Sequence, residues 1–162
     1  MLKTNCFKNG CFLAVTLSYD DGIRQDRRLV EIMNRYGVRG TFHLNSKHVT
    51  NDDEGHIHSE ELPKLYAGHE VAVHCVTHPV LPSLPNEGVV QEVLEDRKTL
   101  EKCCGYPVRG MSYPFGAYDE RVISLIKNCG IVYSRAVQTT NNFGLPNNFM
   151  KWEGTCHHNG NL

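Results

Sequence analysis

Phe12-Leu13-Ala14-Val15-Thr16-Leu17 runs directly into Ser18-Tyr19-Asp20-Asp21-Gly22, so an apolar stretch ends in two adjacent carboxylates. A short apolar run closed by a turn signal reads as a buried strand, and the stretch from Cys11 to Leu17 is too short to cross a bilayer. The next two segments set the class. Leu29, Ile32, Met33 and Tyr36 recur at helical spacing until Gly37 offers a stop, and a second apolar run spans Gly40 to Asn45. Strand, helix, strand is the repeating unit of a parallel sheet.

The alternation continues along the chain. Ser59 is expected to cap a short helix reaching Tyr66, with Pro63 in its first turns and Gly68 beyond it. Glu70 to His74 reads as a third strand. A longer helix is expected from about Glu87 to Cys104, with Val90, Val93, Leu94 and Leu100 inward and Gly105 as terminator. Met111 to Tyr113 is a fourth strand, and Asp119 caps a helix carrying Val122, Ile123 and Ile126 that stops at Gly130 before a fifth strand near Ile131 to Val137. From Gln138 the pattern fades into an Asn-rich segment, Thr139 to Asn148. Five or six strands fall short of the eight of a full (β/α)8 barrel, which takes about 250 residues. The expected fold is α/β, an irregular (β/α) barrel with a mostly parallel sheet, either small or cut short, and a single domain over residues 1–162.

Composition narrows the function. With 40% apolar residues and a net charge of -1, the 162 residues form an ordinary core, and Lys and Arg are scattered rather than striped, so no phosphate-neutralising patch for nucleic acid is visible. No membrane span is expected. Seven cysteines without paired spacing point to free thiols in a reducing compartment, and with no cleavable leader the expected location is cytoplasmic.

A second polar string, His74-Cys75-Val76-Thr77-His78, closes the third strand. Functional residues of parallel α/β folds gather at the carboxyl ends of strands, so Asp20-Asp21 and His74-His78 are expected on one rim. One carboxylate and two imidazoles can hold a divalent cation with a position open to water, leaving the second carboxylate free as a base. Read alone, Asp-Asp-Gly is also a common turn, and His74 and His78 could be a strand-end and a solvent histidine. A metalloprotease-type helix with two histidines four apart is rejected: Cys75 stands where the base Glu belongs, Val71-Ala72-Val73 and Pro79 disfavour a helix, and His69-Glu70 has no correctly spaced second histidine. Strand alternation sends Cys75 to the face opposite His74, which favours packing over ligation, and Cys103-Cys104 reads as helix-end packing. His43, His48, His56 and His58 lack partners at ligand spacing; the last three are expected in solvent.

Ser-Tyr-Asp-Asp-Gly, His-Cys-Val-Thr-His and Arg109 upstream of Tyr113-Pro114-Phe115-Gly116, together with Gly40-Thr41-Phe42 and Gly68-His69-Glu70, resemble the motifs of the polysaccharide deacetylase family, carbohydrate esterase family 4. The resemblance covers roughly residues 12 to 137. It implies an irregular (β/α) barrel that removes acetyl groups, mostly N-acetyl groups from amino-sugar chains. By that resemblance Asp20 is the general base. Asp21, His74 and His78 hold zinc, or cobalt, nickel or manganese in its place, and Thr77 shapes the loop of the second histidine. Arg109 holds Asp20 in its charged state, and the Phe115 backbone N–H assists the oxyanion.

Two departures accompany the resemblance. Relatives place the arginine closer to the Pro-aromatic-Gly string, which makes Arg135 a second candidate. The family's later tryptophan motif and its late histidine acid have no clear counterparts, with Trp152 and the pair His157 and His158 the candidates by position. The domain is expected to lack the family's C-terminal strands, leaving a bare sheet edge that a second copy could cover. The implied partner is an acetylated carbohydrate. The alternatives are a sugar- or metal-binding remnant without catalysis and a hydrolase of small cyclic amides.

Overall fold

The computed structural model describes residues 7, 10–51 and 54–160. Six strands, β1 (Leu17–Asp20), β2 (Gly40–Leu44), β3 (Glu70–Val73), β4 (Gly110–Ser112), β5 (Tyr133–Thr139) and β6 (Trp152–Gly154), form one sheet in sequence order. Every pairing is parallel. The crossovers carry α1 (Asp26–Arg35), α2 (Ser46–Thr50), α3 (Leu62–Leu65), α4 (Asn86–Cys104) and α5 (Glu120–Asn128), with a 3-10 turn, Phe149–Lys151, leading into β6. The expected α/β class with a parallel, barrel-like sheet is what forms. Among the described residues no helix is long and apolar enough to cross a membrane.

The sheet is curled. In a flat sheet β1 and β5 would stand four strand spacings apart, about 19 Å. The Arg135 side chain on β5 nevertheless reaches Asp20 on β1. Strand alternation then gives the sheet two different faces. Phe42, Leu44, Val71, Val73 and Met111 point outward and meet Val30 and Met33 of α1, Tyr66, and Val89, Val93 and Leu100 of α4 in one core. Ser18, Asp20, His43, Ser112 and Arg135 point inward and are joined by hydrogen bonds. The inner face is therefore polar. One close approach there requires glycine: a Cβ on Gly110 would lie 2.2 Å from the Tyr133 phenol oxygen.

Several boundaries differ from the sequence reading, for physical reasons. β1 begins at Leu17, not Phe12, because pairing starts where Leu17 meets Gly40; Phe12 and Val15 are each 82% exposed. α1 buries Val30 and Met33 and turns Ile32 and Tyr36 outward. Ser59 lies inside a 3-10 turn, Ser59–Glu61, and the entry is closed by the His58 N–H donating to Glu61 Oε1 at 3.1 Å. On α4, Val89, Val93 and Leu100 are buried together with Asp96, while Val90 and Leu94 are partly covered. Asp119 caps α5 as expected, accepting the Val122 N–H at 2.7 Å. The short α2 and β6 were not legible in the periodicity.

Candidate metal centre and catalytic site

The carboxyl ends of β1 and β3 bring the two polar strings together. Asp20 is the last residue of β1 and faces inward; Asp21 then takes φ 74°, and its N–H donates to the His43 carbonyl at 2.9 Å. His74 follows β3 directly, with a buried ring, and His78 is half-buried four residues on. His74 Nε2 lies 3.6 Å and His78 Nε2 lies 3.8 Å from Asp21 Oδ1. A tetrahedral ion with bonds of about 2.1 Å spaces its ligands by about 3.4 Å, so the three donors are set at close to ligand spacing. Among the described residues this is the one group of three potential ligands, all within 4.8 Å of one another.

The surroundings suit ligation. His74 Nδ1 lies 2.9 Å from the Ser112 carbonyl and 2.8 Å from Ser112 Oγ, which leaves Nε2 as the free donor nitrogen. Burial pushes the His74 imidazole down, so it is neutral and able to ligate at neutral pH. The Asp21 side chain is 49% exposed, which keeps the site open to water and substrate. An N/O donor set of this kind fits a divalent ion such as zinc.

Asp20 stands beside this group without belonging to it. Its Oδ1 accepts from Ser112 Oγ at 3.1 Å and from Arg135 Nη2, while Arg135 Nε donates to Ser18 Oγ at 2.8 Å. Burial pushes the Asp20 carboxyl up, yet His43, His74 and the Arg135 guanidinium outweigh it and hold the group at about 2. His43 is itself buried and pushed down to about 3, so at neutral pH the permanent charge opposite Asp20 is the guanidinium. Asp20 is thus an ionised, doubly anchored carboxylate.

The strand ends set Arg109, expected beside Asp20, apart from that carboxylate. Arg109 precedes β4, at the opposite end of that strand from Ser112, and is exposed; its carbonyl accepts the Val132 N–H. The guanidinium beside Asp20 is that of Arg135, because β4 and β5 pair Ser112 with Arg135 and set it beside the end of β4 from one strand further on.

Phe115 lies beside His78. Its ring packs edge-on to His78 with centroids 4.4 Å apart, and its backbone adopts φ 57°, a left-handed conformation rare for an aromatic residue. Gly116 makes the turn possible, since a Cβ there would meet Val137 Cγ2 at 2.5 Å. Trp152 is paired in register with Arg135 and packs edge-on to Tyr133 and Phe149. His157 and His158 stack on each other, and His158 faces Tyr19, whose side chain alternates to the side of β1 opposite Asp20. Neither is brought to the inner rim.

Cys75 is fully buried packing, and Cys103 and Cys104 pack against the core at the end of α4, as the sequence suggested. His43 is buried and bonded to Ser18 Oγ at 3.0 Å, while His48 and His56 stack 4.3 Å apart rather than lying free in solvent. Sequence reasoning missed Ser112, Asn45 and Asp96. The Asn45 amide donates to the carbonyls of His74 and Cys75, and Asp96 accepts the His74 N–H. No local pattern marks them, because each acts across the sheet.

A family model described as polysaccharide deacetylase matches residues 9–134. The chain belongs to the polysaccharide deacetylase family. Within that family, chitin deacetylase 1 of Cryptococcus neoformans var. grubii serotype A is 27% identical over 116 residues, covering 71% of this chain and 24% of that protein. The chitooligosaccharide deacetylase of Sinorhizobium fredii is 25% identical over 126 residues, covering 73% of this chain and 54% of that one. The chain thus spans about half or less of the length of these relatives. Among solved deacetylases, the Streptococcus pyogenes deacetylase PplD in complex with acetate shares the fold, with a TM-score of 0.79 at 14% identity over 86% of this chain and 62% of that one.

Proposed function

We propose that this polysaccharide-deacetylase domain is a metal-dependent hydrolase that removes acetyl groups, N-acetyl rather than O-acetyl, from an amino-sugar oligosaccharide or polysaccharide. The observation that carries the reading is the meeting of Asp21, His74 and His78 at ligand spacing beside a carboxylate, Asp20, that is paired elsewhere. Deacetylase relatives named for chitin and chitooligosaccharides support an N-acetyl substrate.

A divalent ion held by Asp21, His74 and His78 would acidify water and polarise the acetyl carbonyl. The residues of the chain do the rest. Asp20, ionised and fixed by Arg135 and Ser112, accepts the proton of the attacking water. The Phe115 N–H, which takes no part in the two hydrogen bonds closing its turn, is assigned the role of donor to the oxyanion. Asp20 then returns its proton to the leaving nitrogen, so acetate and a free amine depart and the carboxylate is regenerated. Arg135 stays charged throughout and keeps Asp20 a proton acceptor rather than a resting acid.

Acetate release from N-acetylated chitooligosaccharides, with and without prior chelation, tests this reading. Stoichiometric zinc, cobalt, nickel or manganese and chelator-sensitive acetate release are expected; no metal uptake after supplementation would remove it. A second reading, a binding remnant, is favoured by the position of His157 and His158 away from the rim, and predicts oligosaccharide binding with no acetate from any substrate. The two arginines give a sharper check. Arg135→Ala is expected to lower kcat by about tenfold to a hundredfold, with Arg135→Lys intermediate because an ammonium cannot reach Asp20 and Ser18 together. Arg109→Ala leaves the rate unchanged. The reverse order would return the role to Arg109.

A further inference from the structure

The five-residue segment from His74 to His78 holds two of the three donors, yet it is built in an unfavourable conformation. Cys75 has φ 68° and His78 has φ 56°, a left-handed backbone that is strained for any residue but glycine. Such a backbone persists only where its surroundings over-determine it. α4 supplies the restraint. Asp96 accepts the His74 N–H at 3.0 Å, and Glu92 accepts both the Thr77 N–H at 2.9 Å and the Thr77 hydroxyl at 2.7 Å. Asp96 also accepts the Ser46 N–H at 2.6 Å, tying α2 to the same point.

Glu92 and Asp96 are four residues apart on one helix, so their carboxylates share a face and stand about 6 Å apart along the axis. Asp96 fixes the entry to the loop, where the His74 ring is already buried. Glu92 fixes the exit, where His78 is less covered and where Thr77 is the residue immediately before it.

Resting on the metal-site reading above, we propose that Glu92 is a positioning residue for the metal centre: by gripping both donors of Thr77 it sets the place of His78 and thereby the affinity of the site. α4 is then a ruler. It measures the separation between the two imidazoles through a pair of carboxylates one turn apart, and neither carboxylate touches the ion.

The test uses the full chain and reads metal rather than turnover: the zinc dissociation constant by competition with a chromophoric chelator, and the visible spectrum of the cobalt-loaded protein. Glu92→Ala should weaken zinc binding about 10- to 100-fold and shift the cobalt bands. Glu92→Gln, which keeps one acceptor oxygen, should recover part of the loss. Thr77→Val should weaken binding on its own but add nothing to Glu92→Ala, because the hydroxyl has then already lost its partner. Should Glu92→Ala not fold, Glu92→Gln and Thr77→Val carry the comparison. Unchanged zinc affinity and cobalt spectrum, even with a lowered melting temperature, would make Glu92 merely structural and overturn the proposal. If the unsubstituted chain takes up neither metal, the metal-site reading itself falls.

Discussion

Asp20→Asn should lower acetate release by about a thousandfold while the zinc content of the protein stays at that of the parent chain. The substitution keeps the shape of the side chain and an oxygen able to accept from Ser112 or Arg135, but it cannot take a proton. Metal content should be unaffected because the proposed ligands are Asp21, His74 and His78. The pH profile adds a second readout. With its carboxyl held at about 2, Asp20 is ionised at any pH where the protein works, so it should contribute no acid limb to the rate profile. Activity of the Asn variant within tenfold of the parent would dismiss Asp20 as the base.

Replacing His74 should have the other large effect, by a different route. His74→Ala removes a buried ligand whose orientation is locked by Ser112, and it also strips Ser112 of one of its partners beside Asp20. Zinc stoichiometry should fall from about one to near zero, and acetate release with it. A thermal readout is independent of activity: a metal at a hundred times its dissociation constant stabilises the folded state by about 2.7 kcal/mol, and this gain should vanish in the variant. A His74→Ala protein that is still stabilised by zinc would place the metal elsewhere.

The parts of the fold visible in the sequence were those with period and punctuation. The 3.6-residue recurrence and the caps of α4 and α5 were readable because one helix face is buried and its ends carry Gly105 and Asp119. β1 misled, since its inner residues Ser18 and Asp20 are polar and the apolar Phe12–Val15 stretch before it faces solvent. β6 is three residues long and α2 five, too short for any period to register. At the site, Asp20, Asp21, His74 and His78 were legible because each pair sits in one short string. The choice between Arg109 and Arg135 was not, because it depends on the register between β4 and β5, which no local pattern encodes. Asn45, Glu92 and Asp96 escaped for the same reason.

The order in which the strands pair has a consequence for how the protein is made. Each strand joins the sheet beside its immediate predecessor in the chain, so the sheet can grow outward as synthesis proceeds, with nearest-neighbour pairings and little need for distant closure. The exception is the contact that matters for chemistry: Asp20 meets Arg135 across 115 residues of sequence. A nascent chain therefore shows its two polar strings early but acquires an anchored Asp20 only after β5 has docked. On the function proposed above, the long-range ion pair makes hydrolytic competence a late event in biogenesis, tied to completion of the sheet rather than to the appearance of the candidate ligands.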